Sequence, residues 1–143
     1  MLGTRCHQLA MYVVLENYLQ MVCDYPEAYE DQPGFEFIKD IPTIWDETKV
    51  IDAKPGEYMV IARKKNGNWY IGAITNSQAR TIELGCSFAA NDNFTATVYT
   101  DANDVAINPN HLDKRIVQIN KNSKLTLALS SGGGAVVELI KNN

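Results

Sequence analysis

The sequence has no excess of basic residues and no long apolar run. Its 143 residues include 13 lysines and arginines against 17 aspartates and glutamates, which gives a net charge of −4. A nucleic-acid surface needs clustered lysine and arginine, so this balance argues against a nucleic-acid partner. No apolar stretch approaches the roughly 20 residues that span a bilayer, which argues against a membrane segment.

Residues suited to metal or nucleophilic chemistry are few and scattered. Cys6, Cys23 and Cys86 form no C-x-x-C pair, so we expect free thiols and no metal site, with a Cys6–Cys23 bridge as an alternative. The two histidines, His7 and His111, are far apart and lack a partner motif. We expect both to be structural.

Three short motifs resemble functional sites but lack essential parts. Asp101–Asp104 has neither the glycine nor the bidentate glutamate of a calcium loop, which leaves a turn. Ser130–Gly134 lacks the lysine and the helix of a phosphate loop and predicts a tight turn before a strand. Asp46 and Glu47 are adjacent, so on a strand they point to opposite faces, unlike a catalytic pair. We therefore assign no catalytic residue.

The N-terminal region predicts a helix from Thr4 to about Gln20, uninterrupted by Gly or Pro. Its apolar run Leu9–Leu15 follows Arg5 but precedes no small-residue cleavage site, so we do not expect a signal peptide. A helix that is apolar most of the way round needs cover on several sides. We expect it to pack onto the rest of the chain or onto another copy. The interface candidates are Leu9, Tyr12, Val13 and Val14.

The strongest local signal is a hairpin within Glu57–Asn76. Two β-rich runs flank Asn66-Gly67, a dipeptide typical of two-residue hairpin turns. Each run is apolar on both faces, so we expect both faces of this hairpin to be covered, as in the centre of a packed sheet.

Short strand-like runs separated by turn residues surround this hairpin. A short helix is predicted at Phe35–Lys39. The further predicted strands are Thr48–Asp52, Arg80–Leu84, Phe94–Thr100, Arg115–Asn120, Leu125–Leu129 and Ala135–Ile140. The predicted fold is mainly β, an antiparallel β-sandwich of about eight strands preceded by an N-terminal α-helix. Residues 1–41 form the helix and a linker, and residues 42–143 form the sandwich domain.

Aromatic side chains are the candidates for a carbohydrate-binding surface, since flat rings stack on sugar rings. The strongest candidates are Trp69, Tyr70 and Trp45, and the wider set includes Tyr58, Phe94 and Tyr99. Aromatic residues also fill sandwich cores, so core packing is the competing explanation.

Several separated motifs resemble glycoside hydrolase family 97, bacterial α-glucosidases and α-galactosidases. Gly3–Val14 resembles the last helix of the family's catalytic barrel, and Pro42–Val50 resembles the link out of that barrel. The segments that resemble its C-terminal domain are Gly56–Tyr58, Ile61–Lys64, Trp69–Asn76 and Gly132–Gly134.

The resemblance implies that the chain is a piece of a larger enzyme: a barrel-derived helix and linker followed by the C-terminal sandwich. The family's catalytic acids and calcium ligands lie in the parts not represented here, so no cofactor is expected in this chain. Family members are mostly periplasmic or secreted. The implied function is a non-catalytic accessory domain that braces the catalytic barrel and mediates oligomerisation, with a homodimer as one expectation. The alternative is a carbohydrate-binding module that takes an oligosaccharide.

Overall fold

The computed structural model describes residues 3–89 and 92–142. Its two α-helices are α1 (Arg5–Val14) and α2 (Phe35–Asp40). Its strands are β1 (Glu47–Lys54), β2 (Tyr58–Lys65), β3 (Asn68–Thr75), β4 (Arg80–Gly85), β5 (Phe94–Asp101), β6 (Leu112–Ile119), β7 (Lys124–Leu129) and β8 (Gly134–Lys141). The predicted short helix and all predicted strands are confirmed.

The strands form two sheets of unequal size. Six of them make one sheet in the order β1-β2-β3-β8-β5-β6, and β4 pairs with β7 in a separate two-stranded sheet. Every pairing between these strands is antiparallel. The predicted antiparallel sandwich preceded by a helix is therefore confirmed. The smaller layer covers one face of the large sheet, and α1 covers part of the other.

The central hairpin has the predicted geometry. Asn66 and Gly67 have φ angles of 51° and 84°. Two consecutive positive φ values are what a type I′ turn requires, and Asn-Gly meets that requirement at little cost. Lys65 and Asn68, which flank the two turn residues, form the first pair of the hairpin. Asp46 also holds the turn, because its Oδ2 accepts a hydrogen bond from the Asn66 amide at 2.8 Å.

An apolar core fills the space between the two sheets. The strands of the large sheet contribute every second residue to this core, in keeping with the period of two that strands impose. Its fully buried members include Val60, Ile71, Leu84, Val98, Leu127, Val137 and Leu139.

A second core lies between α1 and the opposite face of the large sheet. It contains Leu9 and Val13 from α1, Phe37 from α2, and Tyr99 and Val136 from the sheet. The helix has thus packed onto its own chain, which is one of the two expected outcomes. The proposed boundary between residues 1–41 and 42–143 stays a prediction.

The predicted extent of the first helix is wrong, because α1 ends at Val14 and not near Gln20. In a continued helix, the carbonyls of Val13 and Val14 would accept hydrogen bonds from amides four residues later. Here both carbonyls accept from the side chain of Arg63 instead. No helix in the described parts of the chain is long and apolar enough to cross a membrane.

Candidate functional site

Two glycines allow α1 to lie directly on the sheet. A Cβ atom at Gly72 would lie 2.8 Å from the Ala10 carbonyl oxygen, and one at Gly134 would lie 2.7 Å from the His7 Cα. Both distances are shorter than real contacts of a Cβ atom, and both involve backbone that cannot rotate away. Because β3 and β8 are neighbours in the sheet, the glycines form a shallow seat for α1.

Arg63 joins α1 to β2. Its side chain is buried, with 3% of the residue exposed. Nε donates to the Val13 carbonyl at 2.6 Å, Nη2 to the Val14 carbonyl at 3.3 Å, and Nη1 to the Thr48 hydroxyl at 2.9 Å. The guanidinium lies at the negative end of the helix dipole and satisfies carbonyls that have no partner within the helix.

Asp101 organises the turn that precedes β8. Its Oδ2 accepts hydrogen bonds from the Ser130 amide at 2.9 Å and the Gly134 amide at 3.1 Å. A Cβ atom at Gly133 would collide with the same oxygen. Residues 130–134 therefore make a tight turn, as predicted, and the carboxylate of Asp101 is its anchor.

The same turn also contacts α1. His7 Nδ1 lies 3.1 Å from the Gly133 carbonyl oxygen and acts as a donor to it. The pKa of the buried Cys6 thiol is raised, first by burial and then by the nearby Asp101 carboxylate. The thiol therefore stays protonated and unreactive. Cys6, Cys23 and Cys86 are all free, so the alternative Cys6–Cys23 bridge is not formed.

Most of the predicted interface residues lie inside the chain. Leu9, Val13 and Val14 are buried against the sheet and α2, so they are not open to a second copy. Tyr12 is half-buried and borders a cavity that Leu15 and Met21 also line. These residues are buried because the sheet, with its glycine seat, covers the apolar side of α1 more fully than the sequence suggests.

The predicted sugar-binding aromatics do not form one surface. Trp69 is 2% exposed and points into the core between the sheets, where its ring lies 5.1 Å from that of Phe88. Tyr70 is the next residue on β3, so it points to the opposite face, where it packs at 5.4 Å against the half-buried Trp45. The candidates are thus divided between two faces and are mostly inaccessible.

The acidic candidates also have separate partners. Asp46 binds Lys65 at 3.0 Å, and Glu47 binds Lys49 at 3.1 Å. In the connection before β6, Asp104 binds His111 at 2.7 Å. Across residues 3–89 and 92–142, no three His, Cys, Asp or Glu side chains come together as a metal site.

The segment after α1 presents an open apolar surface, and we call residues 15–25 the apolar segment. Its exposed apolar side chains are Leu15, Tyr18, Leu19, Met21, Val22 and Tyr25. Single exposed apolar residues are ordinary, but a contiguous group marks a surface that binds another part of a protein. Helical periodicity alone does not reveal this surface, because it forms only where the helix stops.

The chain is similar to parts of several larger glycosidases. It is 42% identical over 138 residues to a retaining alpha-galactosidase from Bacteroides thetaiotaomicron, a match that covers 96% of this chain and 21% of that protein. A glycoside hydrolase family 97 enzyme from Pseudoalteromonas, solved in complex with panose, superposes with a TM-score of 0.94 at 36% identity. That superposition covers 99% of this chain and 23% of the enzyme. A beta-arabinopyranosidase superposes with a TM-score of 0.78 at 27% identity, over 95% of this chain and 21% of that protein.

The chain therefore spans about a fifth of the length of these relatives. A sequence model of one family, described as glycosyl-hydrolase 97 C-terminal, oligomerisation, matches residues 44–140. This match covers β1 to β8 almost completely, whereas α1, the apolar segment and α2 lie before it. The chain belongs to the glycosyl-hydrolase 97 C-terminal family.

Proposed function

We propose that this chain is the non-catalytic C-terminal part of a family 97 α-glycosidase, where it braces the catalytic barrel and joins copies of the enzyme. The observation that carries this proposal is the contrast between α1 and the apolar segment that follows it. There α1 is fixed to the sandwich, while the apolar segment that follows it is open. An apolar surface on a rigid support is suited to hold a second domain in place.

Several contacts support a non-catalytic role. The carboxylates that invite a catalytic interpretation, Asp46 and Glu47, are ion-paired to different lysines. Asp46 also binds the Asn66 amide, and this bond, followed by the one from Lys65, holds the pKa of Asp46 below its usual value. We expect the purified chain to release no nitrophenol from nitrophenyl α-galactoside or α-glucoside. Turnover that disappears in a Glu47→Gln variant would contradict this.

The bracing role can be tested by complementation. The Bacteroides thetaiotaomicron relative would be produced without its C-terminal fifth, alone and together with this chain. We expect co-production to increase the soluble, active yield of the truncated enzyme. Two substitutions in the apolar segment, Leu19→Asp and Met21→Asp, should abolish the gain without changing the melting temperature of the isolated chain.

The matched control for these variants is Ile107→Asp. Ile107 is an exposed apolar residue outside the apolar segment, so its substitution should leave complementation intact. Equal activity of the truncated enzyme with and without this chain would contradict the bracing role.

A further inference from the structure

We propose that β6 pairs antiparallel with β6 of a second copy of this chain, about a two-fold axis that passes between Ile116 and its copy. The pairing would extend the large sheet across both copies. This inference rests on the proposed function, because the choice of a second copy as the partner follows from the family's oligomerisation role. It adds the surface that performs that role.

The exposed apolar residues indicate which surface could join two copies of the chain. Within the family match they are Ile44, Val50, Ile107, Ile116 and Ile140. Ile116 is 64% exposed and Ile140 is 39% exposed. Ile116 pairs with Thr97 of β5, and Ile140 pairs with Thr95 of the same strand. Thr95 and Thr97 point to one face, so both isoleucines lie on that face, with Ile116 on the edge strand β6 and Ile140 on β8, two strands further into the sheet.

The two edges of the large sheet differ in regularity. At one edge, the pairing of β1 with β2 shifts between Val50 and Asp52, which marks an irregular strand. At the other, β6 pairs with β5 at every residue from Leu112 to Ile119 without a shift. Bulges protect edge strands from pairing with another chain, whereas a regular edge offers its free backbone groups to one. Among the described residues, no backbone hydrogen bond joins β6 to any strand besides β5.

The two cations of β6 do not guard this edge. Lys114 binds Glu36 of α2 at 2.6 Å, and Arg115 donates to the Thr126 carbonyl of β7 at 2.6 Å. Each cation is thus held by its own chain, on one face of the sheet or the other. Charges on an edge strand discourage pairing most when they project freely beside the strand.

The symmetry of a dimer selects the register. An antiparallel pair of identical strands requires a two-fold axis perpendicular to the sheet, so the residue on the axis faces its own copy. An axis at Arg115 would oppose two arginines, and one at Lys114 would oppose two lysines, which is unfavourable. Among the apolar residues of β6 Ile116 is the exposed one, so an axis at Ile116 opposes two exposed isoleucines. It also places Arg115 opposite Val117 and Lys114 opposite Gln118, with no like charges paired.

The first test is the solution mass by light scattering over a range of protein concentrations. We expect the wild-type chain to reach twice its mass of 15.9 kDa. An Ile116→Lys variant should remain at 15.9 kDa, with a dissociation constant raised at least tenfold, because two ammonium groups would meet at the axis. The matched control is Val50→Lys, since Val50 is an equally exposed residue, at 63%, on the other edge. It should keep the dimer.

A cross-linking experiment fixes the register. In a Cys23→Ser background, which removes the exposed native thiol, an Ile116→Cys variant should form a disulfide-linked dimer under mild oxidation. Val50→Cys in the same background should form no disulfide-linked dimer, because Val50 lies on the opposite edge of the sheet.

The outcomes distinguish a failure of the β6 interface from a failure of the proposed oligomerisation. A dimer that survives Ile116→Lys, with no cross-link at Ile116→Cys, overturns the β6 surface and leaves oligomerisation in place. A wild-type chain that is monomeric at every concentration, together with no cross-link at Ile116→Cys, overturns both the β6 surface and oligomerisation. The bracing role would still be decided independently by complementation.

Discussion

The two faces of the large sheet are covered in different ways. Toward β4 and β7 the cover is a continuous apolar core, in which side chains such as Leu127 and Val137 interdigitate. Toward α1 there is a second apolar core, but the position of the helix also depends on particular residues: the glycines at 72 and 134, which carry no side chain, and the buried cation of Arg63. The first face tolerates exchange among apolar residues of similar volume, whereas the second requires particular residues. This difference fits the proposed bracing role, in which one face supplies stability and the other fixes the position of α1.

The largest expected loss of stability comes from a substitution in the core between the two sheets. Leu127→Ala would remove a fully buried side chain from the core between the sheets and leave a cavity. We expect the free energy of unfolding to fall by about 3 kcal/mol, measured by urea denaturation. Thr126→Ala, at the exposed neighbouring position, is the control and should cost less than about 1 kcal/mol. A loss below about 1 kcal/mol at Leu127 would show that this core is loosely packed.

The next largest effect tests the helix seat. In Gly134→Ala, the added methyl group would meet the backbone of His7 and Ala73, so α1 must shift. Overpacking of this kind costs about 2 kcal/mol, and more where backbone must move. Gly85→Ala in β4 is the control, because a Cβ atom there meets nothing within 4 Å. Equal melting temperatures for the two variants would mean that α1 does not rest on the sheet.

Arg63→Met is expected to cost about 2 kcal/mol, because it leaves the Val13 and Val14 carbonyls without their charged donor. The loss should appear as weaker circular-dichroism signal from α1 as well as in urea denaturation. Lys124→Met, which removes an exposed cation from β7, should have almost no effect. Should Arg63→Met match this control, the guanidinium would not be what ends α1.

The smallest expected effect is a change in the free energy of unfolding that occurs only at alkaline pH. Burial, followed by the nearby Glu36 carboxylate, raises the pKa of Tyr99 from 10.0 to about 12. As the pH rises through this range, the unfolded chain loses the phenol proton first, so the raised pKa stabilises the fold below pH 10.0 and that stability is lost toward pH 12. In Tyr99→Phe the free energy of unfolding should fall less steeply with pH over this interval. Parallel curves for the variant and the wild type would contradict the assignment.

The sequence predicts the strands well because their signals are local. Alternating apolar residues and turn residues such as Asn66-Gly67 act over a few positions, and the observed strands follow them closely. These signals do not decide which face of the sheet β4 and β7 cover, because the hairpin strands are apolar on both faces.

The helix side could not be predicted in the same detail. Arg63 is followed by Lys64 and Lys65, and nothing local shows which of the three cations is buried. The choice depends on where α1 ends, which is set by residues about fifty positions earlier in the chain. Asp101 likewise acts on a turn that follows two strands later. Interactions between distant segments decide these sites, so a reading of local patterns finds the turn but not its anchor.

Hydrogen exchange of the α1 amides measures how firmly the helix is held on the sandwich, which the proposed bracing of a catalytic barrel requires. We expect the amides of Ala10 and Val13 to exchange only on global unfolding, with the same free energy as those of Ile71 and Val136 in the sheet. The contrary result would be exchange of the α1 amides by local opening, at a free energy well below that of the sheet.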